Sequence, residues 1–201
     1  MPNVSIIDYG VGNLLSLKVA LEKTGLNATI ITPNQKFEDT DAIALPGVGN
    51  FSAAAESLKP IKASLVEIAE SGTPILGICL GLQLFFESSE EGLGEGLAFF
   101  KGKNVRLKGS VKIPHMGWNS LNIIKQNKLF NEINDGTYVY FVHSLYPIPT
   151  EKEIICTQTQ YGETFTSTVA NKNIYGTQFH PEKSGDVGLR ILKNFARIIR
   201  K

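Results

Sequence analysis

Residues 73–88 read TPILGICLGLQLFFES, and this stretch decides the fold prediction. PILGI (74–78) is a short apolar run of the kind that forms a fully buried parallel strand. The following LGLQLFFES (80–88) has the pattern of a helix that begins immediately after the strand. The sequence therefore predicts a strand, a tight turn at Cys79 and a helix.

The first half of the chain repeats this alternation of strand and helix patterns. Apolar runs typical of buried strands are VSIID (4–8), ATIIT (28–32), AIALP (42–46) and PILGI (74–78), and helical patterns cover about 13–24, 52–59 and 61–70. Strands that alternate with helices favour a parallel sheet with crossover helices. The fold class predicted is α/β.

The second half has a different pattern. Strand-like runs separated by Asn, Asp, Gly and Pro are YVYFV (138–142), EIICTQ (153–158), FTSTVA (165–170) and IYGTQF (174–179). Such runs favour continuation of the sheet with antiparallel strands. The chain closes with DVGLRILKNFARIIRK, whose apolar face predicts a helix packed on the sheet. At 201 residues, we expect a single domain over 1–201.

Composition excludes several classes of protein. Lys and Arg total 20 and Asp and Glu total 19, so a net charge of +1 gives no general attraction to nucleic acid. The first residues, MPNVSIIDYG, lack a signal-peptide pattern, and no run is apolar enough for a membrane span, so a cytoplasmic protein is expected. Cys79 and Cys156, the two cysteines, are expected to be free thiols, and without a CxxC pair no metal site is predicted.

Cys79 lies between two glycines at the predicted strand-to-helix turn. Gly77-x-Cys79-x-Gly81 has the spacing of a nucleophile elbow, in which glycines permit a turn that lifts the nucleophile out of the sheet. The N-terminus of the following helix would favour thiolate over thiol, and the Leu80 amide could face a developing oxyanion. The alternative is a buried structural cysteine, because Cys also behaves as a small apolar residue.

A thiolate nucleophile needs a base, and the chain has three histidines: His115, His143 and His180. His180 ends a predicted strand, where open α/β sheets place their sites. Pro181 should keep the next residues extended, which would put the Glu182 carboxylate on the same side as the imidazole. The alternative is an exposed His-Pro-Glu turn. For His143 we favour a structural role in the core over a place in the site. For His115 the same two alternatives stay open.

Two glycine-rich stretches follow apolar strands: DYGVGN (8–13) and PGVGNF (46–51). Neither completes the dinucleotide or phosphate-loop pattern, so nucleotide binding is not predicted. The PGVG stretch has a better use as a flexible loop that donates a second backbone amide to an oxyanion.

The motifs GICLGLQ and QFHPEKS resemble those of the class I glutamine amidotransferases with a Cys-His-Glu triad. DYGVGN, PGVG, PHMGWN and YFVHS are similar to motifs of the branch that forms the glutaminase subunits of imidazole glycerol phosphate synthases. The resemblance runs nearly end to end. It implies a flavodoxin-like fold, no cofactor, attack of a cysteine on glutamine, and transfer of ammonia to a separate (β/α)₈-barrel cyclase subunit in histidine biosynthesis, as a heterodimer.

The resemblance also implies residue roles. The triad would be Cys79, His180 and Glu182. The oxyanion hole would use the amides of Val48 and Leu80. Residues implied to bind L-glutamine are Gly47, Gln83, His143 and Ser144, and those implied to face the cyclase are Asn13, Trp118, Tyr140 and Lys183.

Two alternatives stay open. One is a glutaminase subunit of another synthase, such as anthranilate or pyridoxal phosphate synthase, although PHMGWN and DYGVGN argue against it. The other is a catalytically silent binding or regulatory protein on the same fold.

Overall fold

The computed structural model describes residues 1–10, 12–35, 37 and 39–200. The first half contains β1 (Asn3–Ile7), α1 (Leu14–Glu22), β2 (Asn27–Ile31), β3 (Ala42–Leu45), α2 (Phe51–Leu58), α3 (Lys62–Glu70), β4 (Ile75–Ile78) and α4 (Leu80–Gln83). The strand and helix patterns of this half are confirmed to within a few residues, except for the helix after Cys79.

The second half is built mainly of strands. It contains β5 (Phe86–Ser89), β6 (Phe100–Arg106), β7 (His115–Ser120), β8 (Asn122–Ile123), β9 (Tyr138–His143), β10 (Leu145–Pro149), β11 (Ile155–Tyr161), β12 (Glu163–Asn171), β13 (Ile174–Thr177) and α5 (Gly185–Ile199). The four predicted runs of this half and the closing helix are all present.

The central sheet has eight strands in the order β2-β1-β3-β4-β13-β12-β11-β8. The strands from β2 to β13 pair in parallel, and those from β13 to β8 pair antiparallel. The predicted α/β class, a mostly parallel sheet with added antiparallel strands, is confirmed. Two smaller sheets, β10-β6-β5 and β7-β9, complete the strand pairing.

Helices cover both faces of the central sheet. In β3, Ala42 and Ala44 pack into the core that contains α1 and α5, whereas Ile43 and Leu45 pack into the core beneath α2 and α3. A strand buried on both faces has no polar alternation, which is why these strands appear as continuous apolar runs.

The helix after Cys79 is much shorter than predicted. It ends after one turn at Gln83, and Phe86 instead begins β5, which pairs in parallel with β6. Phe85 and Phe86 are fully buried. The backbone N–H and C=O groups of this segment, which a longer helix would pair internally, are paired with β6 instead. The expectation of a helix over 80–88 is therefore wrong beyond its first turn.

Candidate active site

The ends of two neighbouring strands bring Cys79 and His180 to the same edge of the sheet. β4 and β13 are parallel, with Ile78 opposite Thr177, and the Cys79 amide donates to the Thr177 carbonyl over 2.7 Å. Cys79 follows β4 directly and His180 lies three residues beyond β13. This is the carboxyl edge at which open α/β sheets bind their ligands.

Cys79 occupies a sharp and strained turn. Its backbone has φ 54° and ψ −104°, a region that residues other than glycine rarely adopt. The two glycines are required by close packing, since a Cβ on Gly77 would lie 2.5 Å from the Phe85 ring and a Cβ on Gly81 would lie 1.7 Å from the Leu45 carbonyl oxygen. The turn that the glycine spacing predicts is thus present.

Because α4 is short, its dipole can stabilise a Cys79 thiolate only weakly. A single turn aligns few peptide dipoles, so its field is weaker than the sequence suggested. The Leu80 amide, moreover, donates to the Gly47 carbonyl over 3.3 Å. In this conformation one of the two predicted oxyanion donors is occupied by the protein itself.

His180 and Glu182 form a buried pair. Nδ1 of His180 lies 2.8 Å from Oε1 of Glu182, and the two side chains are 3% and 5% exposed. The route differs from the prediction, because Pro181–Lys183 form a 3₁₀ turn rather than an extended segment. The prediction of an extended segment is wrong there, but the turn still brings the carboxylate back to the imidazole.

The charge state of His180 depends on its two neighbours. Burial lowers the pKa of its imidazole, but interactions with Cys79 and Glu182 outweigh burial and raise that pKa to about 10. Nε2 of His180 is buried and, within the described part of the chain, has no hydrogen-bond partner. The ring is thus held at Nδ1, while Nε2 is available to exchange a proton.

A cavity of about 210 Å³ lies beside Cys79. It is smaller than the ~300–1,000 Å³ of pockets for drug-sized ligands, which fits a ligand of amino-acid size. The structure places these predicted site residues in its lining: Val48, Leu80, Gln83, His143 and Ser144. Gly47 is absent from the lining but adjoins it through its bond to Leu80.

Glu91 adds a carboxylate to this cavity. Its Oε2 accepts a hydrogen bond of 2.5 Å from the Phe51 amide at the start of α2. The residue reaches the cavity from the loop that follows β5. No His, Cys, Asp or Glu cluster suited to a metal occurs among the described residues.

A chain of buried side chains continues from the cavity. Nε2 of Gln83 donates to the Leu145 carbonyl over 3.0 Å and to Oε1 of Gln178 over 3.2 Å. Nδ1 of His143 lies 2.9 Å from the same carbonyl, and its Nε2 lies 3.1 Å from Nδ1 of His115. A carbonyl only accepts, so His143 carries its proton on Nδ1 and accepts at Nε2 from His115.

Both of these histidines are neutral. Burial lowers the pKa of His115 to about 4. Burial, together with electrostatic repulsion from the neighbouring His115 and His180 rings, lowers the pKa of His143 to about 3. His143 thus has the core environment that we favoured, and it also lines the cavity.

Three of the residues implied to face a partner lie together. The rings of Trp118 and Tyr140 stand 6.0 Å apart in opposite strands, Trp118 is 55% exposed, and Lys183 is exposed beside the His180 turn. Asn13 is exposed too, and its side chain caps α1 by accepting from the Ser16 amide over 3.2 Å.

Ser184 ties this surface to His180. Its hydroxyl accepts from the Tyr140 amide over 3.0 Å and donates to the His180 carbonyl over 2.7 Å. The His180 amide donates to the Tyr140 carbonyl over 2.9 Å. Ser184 stands at the N-cap of α5 without capping it, because its hydroxyl is used in this closed set of bonds.

Comparison with known proteins assigns the family. Residues 5–199 match the model of the glutamine amidotransferase class-I family. The chain belongs to this family. Helices long and apolar enough to cross a bilayer do not occur in the described ranges.

Relatives within the class-I family are similar over nearly their full length. Imidazole glycerol phosphate synthase subunit HisH of Pyrococcus furiosus is 48% identical over 200 residues, covering 98% of this chain and 100% of that protein. Proteins of the same name from Methanocaldococcus jannaschii and Oceanobacillus iheyensis are 45% and 44% identical, each over 98% of this chain and 100% of the relative.

Solved structures agree on the fold. The structure of PurLQS from Thermotoga maritima has a TM-score of 0.79 at 19% identity and covers 98% of both chains. A glutamine amidotransferase from Thermotoga maritima has a TM-score of 0.68 at 18% identity, covering 99% of this chain and 84% of that one. At these identities the likeness concerns the class-I fold alone.

Sequence reasoning missed four residues in and around this candidate site. Tyr9, whose hydroxyl donates to the Pro46 carbonyl in the PGVG loop, lies inside the motif DYGVGN. Gln178 and Ser184 both lie within QFHPEKS, so this motif is the sequence signal that points to them. Glu91 has no motif signal, because only the pairing of β5 with β6 positions its loop.

Proposed function

We propose that this chain is the glutaminase subunit of an imidazole glycerol phosphate synthase, which hydrolyses glutamine and delivers ammonia to a separate cyclase subunit. The observation that carries the chemistry is Cys79 on its strained turn, beside the buried His180–Glu182 pair, at the ends of two adjacent parallel strands. The HisH relatives, identical at 42–48% of positions over nearly the whole chain, support the synthase assignment.

The first half-reaction forms a thioester. The Cys79 thiol gives its proton to Nε2 of His180, the sulfur attacks the side-chain amide carbon of glutamine, and the carbonyl electrons move onto oxygen. The C–N bond then breaks, and the nitrogen leaves as ammonia with a proton from Nε2 of His180. Glu182 keeps the ring in the orientation that presents Nε2 and stabilises its protonated form.

The second half-reaction releases glutamate. Nε2 of His180 takes a proton from water as the water oxygen attacks the thioester carbon. The C–S bond breaks, its electron pair returns to the Cys79 sulfur, and glutamate leaves. The sum is glutamine plus water giving glutamate plus ammonia.

The oxyanion hole is proposed to need a rearrangement. The Leu80 amide is engaged with the Gly47 carbonyl, so that peptide must turn before Leu80 and Val48 can both donate to substrate oxygen. Glycines at 47 and 49 make such a turn sterically cheap, and Gly49 already has φ 137°. Because one missing donor typically costs ~10²–10³ in turnover, the chain alone should be a poor glutaminase.

Recognition of glutamine is assigned to groups lining the cavity. The Glu91 carboxylate has the charge to hold the α-ammonium group of the substrate. Gln83, Ser144 and His143 line the same cavity as polar neighbours of the rest of the substrate, and Gly47 borders it.

The proposed partner is a (β/α)₈-barrel cyclase, in a heterodimer. Trp118, Tyr140 and Lys183 would form the contact, with Asn13 at the same edge of the sheet. The backbone bonds between Tyr140 and His180 offer a direct route by which docking could adjust the site. The cyclase could favour the active loop only by binding it more tightly than the resting one.

The test is the steady-state glutaminase rate of the chain alone, with cyclase, and with cyclase plus its acceptor ligand. We expect the rate to rise at each step. Cys79→Ala should abolish glutamine-dependent synthesis and spare ammonia-dependent synthesis by the cyclase. A full rate in the isolated chain would contradict the rearrangement, and glutamine-dependent synthesis by Cys79→Ala would contradict the nucleophile.

The two alternatives are disfavoured. Relatives bearing the names of anthranilate or pyridoxal phosphate synthase subunits would support another synthase, whereas the Pyrococcus, Methanocaldococcus and Oceanobacillus relatives are all HisH subunits. A silent binding protein has no need of the buried His180–Glu182 pair beside a thiol. Covalent labelling of Cys79 by a glutamine-like electrophile separates the silent protein from the glutaminase.

A further inference from the structure

Besides the His180 imidazole, the Cys79 sulfur has two polar neighbours of opposite character. Sγ lies 3.6 Å from the Val142 carbonyl oxygen and 3.5 Å from Nε2 of Gln178. The carbonyl can only accept, so it suits a thiol and repels a thiolate. The Gln178 amide group donates, so it stabilises the sulfur when the sulfur is negative.

The orientation of the Gln178 amide is fixed by its surroundings. Nitrogen and oxygen of an amide are distinguished by their partners, and here the chain of bonds settles the assignment. The Leu145 carbonyl only accepts, so the group of Gln83 that meets it is the nitrogen. That nitrogen also meets Gln178, whose facing atom is therefore the oxygen, which leaves Nε2 of Gln178 directed at the sulfur.

Gln178 is completely buried, and its burial needs a reason. A buried amide costs free energy unless its groups are paired, and an apolar side chain would fill the space without that cost. Two backbone sources of anion stabilisation are weak here, because α4 is one turn long and the Leu80 amide is held by Gly47. The His180 imidazolium also stabilises a thiolate, but in the proposed reaction it gives its proton to the leaving nitrogen. The amide of Gln178 is a neutral side-chain N–H donor beside the sulfur, in addition to the His180 imidazole.

We propose that Gln178 is a further catalytic residue, whose side-chain amide donates a hydrogen bond to the Cys79 sulfur whenever that atom carries negative charge. The proposal rests on the proposed function, in which Cys79 is the nucleophile. The bond acts twice: it favours the thiolate that attacks glutamine, and it stabilises the same thiolate as the C–S bond of the thioester breaks. Gln83 is the positioning residue that holds the amide in this orientation.

The test measures sulfur chemistry without glutamine. In a Cys156→Ala background, Cys79 is the remaining thiol, and its alkylation by iodoacetamide is followed against pH in the full-length chain. Gln178→Met keeps most of the volume and removes the donor. Because a hydrogen bond to a charged group is a strong one, we expect alkylation near neutral pH to slow roughly tenfold and its midpoint to move up by about one pH unit.

A matched control removes a buried amide elsewhere. Asn194 of α5, 1% exposed, donates to the carbonyls of Leu129 and Asn131. Asn194→Leu should leave the alkylation midpoint unchanged. If Gln178→Met fails to fold by circular dichroism, Gln178→Leu replaces it.

Turnover completes the test. With cyclase and acceptor ligand present, Gln178→Met should lower kcat for glutamine by about tenfold or more while KM changes little, since the amide contacts sulfur rather than substrate. An unchanged alkylation midpoint, or a shifted midpoint with normal kcat, would overturn the proposal. Absence of turnover in the unsubstituted complex would instead refute the proposed function, and the alkylation curves would still report the contact.

Discussion

The buried pair His115–His143 should make the protein sensitive to mild acid. Both imidazoles are neutral in the folded state, with pKa values of about 4 and about 3, against an ordinary value of 6.5. A group whose folded pKa is depressed contributes stability above its unfolded pKa and loses it as pH falls toward the folded value. The loss should therefore begin near pH 6.5 and continue to about pH 4 for His115 and to about pH 3 for His143.

The magnitude follows from proton linkage. At about pH 5 an unfolded imidazole is almost fully protonated, whereas each folded one is almost fully neutral, which favours unfolding by about 2 kcal/mol per imidazole relative to about pH 7.5. The pair should together cost about 4 kcal/mol. Domains have only ~5–15 kcal/mol of stability, so this loss is large.

The assay is urea unfolding followed by circular dichroism at both pH values. His115→Asn and His143→Asn keep a side-chain donor where each Nδ1 stands, and each should reduce the acid loss by about 2 kcal/mol. His180→Ala is a control whose effect has the opposite sign. The raised pKa of His180 adds stability as the pH falls, so removing this imidazole should increase the loss of stability between the two pH values. If the double variant His115→Asn/His143→Asn and the wild type lost equal stability, the two imidazoles would not be buried and neutral.

Three further predictions concern the triad, its turn and the exposed surface. His180→Ala should remove nearly all glutaminase activity, whereas Glu182→Gln should retain about two orders of magnitude more, as measured by kcat in the complex, because it disturbs orientation without deleting the proton carrier; equal and near-normal rates would end the triad assignment. Gly81→Ala should destabilise the fold by about 3 kcal/mol or more in urea unfolding, since its Cβ would lie 1.7 Å from the Leu45 oxygen; an unchanged midpoint would show that the turn can relax. Trp118→Ala should weaken cyclase binding, measured by calorimetry, without slowing alkylation of the thiol, and unaltered affinity would remove Trp118 from the interface.

Much of the fold could be predicted because its strands are buried on both faces. β3 and β4 have uninterrupted apolar runs, and β1 has only the buried Ser5 between its apolar residues. The predicted bounds of each lie within about a residue or two of those observed. The helix after Cys79 was overestimated because its apolar pattern is equally compatible with a buried strand. Only the distant pairing of Phe86 with Phe100 decides between the two.

The candidate site was predictable where its chemistry is local in sequence. Cys79 between its glycines and His180 two residues from Glu182 are recognisable without coordinates. Glu91 is not, since a loop glutamate acquires a role only when strand pairing carries it to the cavity. Gln178 belongs to a motif, but its role depends on the orientation of an amide that distant hydrogen bonds determine.

The hydroxyl of Ser184 makes the His-Pro-Glu segment dependent on a neighbouring strand. Three hydrogen bonds link His180, Ser184 and Tyr140, and two of them involve the backbone of Tyr140. The conformation of the segment therefore depends on β9. A peptide of this sequence, or the same residues grafted onto a loop of another protein, would lack that support. Engineering such a triad into a new scaffold would therefore require transplanting a strand together with the turn, with its backbone donor and acceptor facing the histidine.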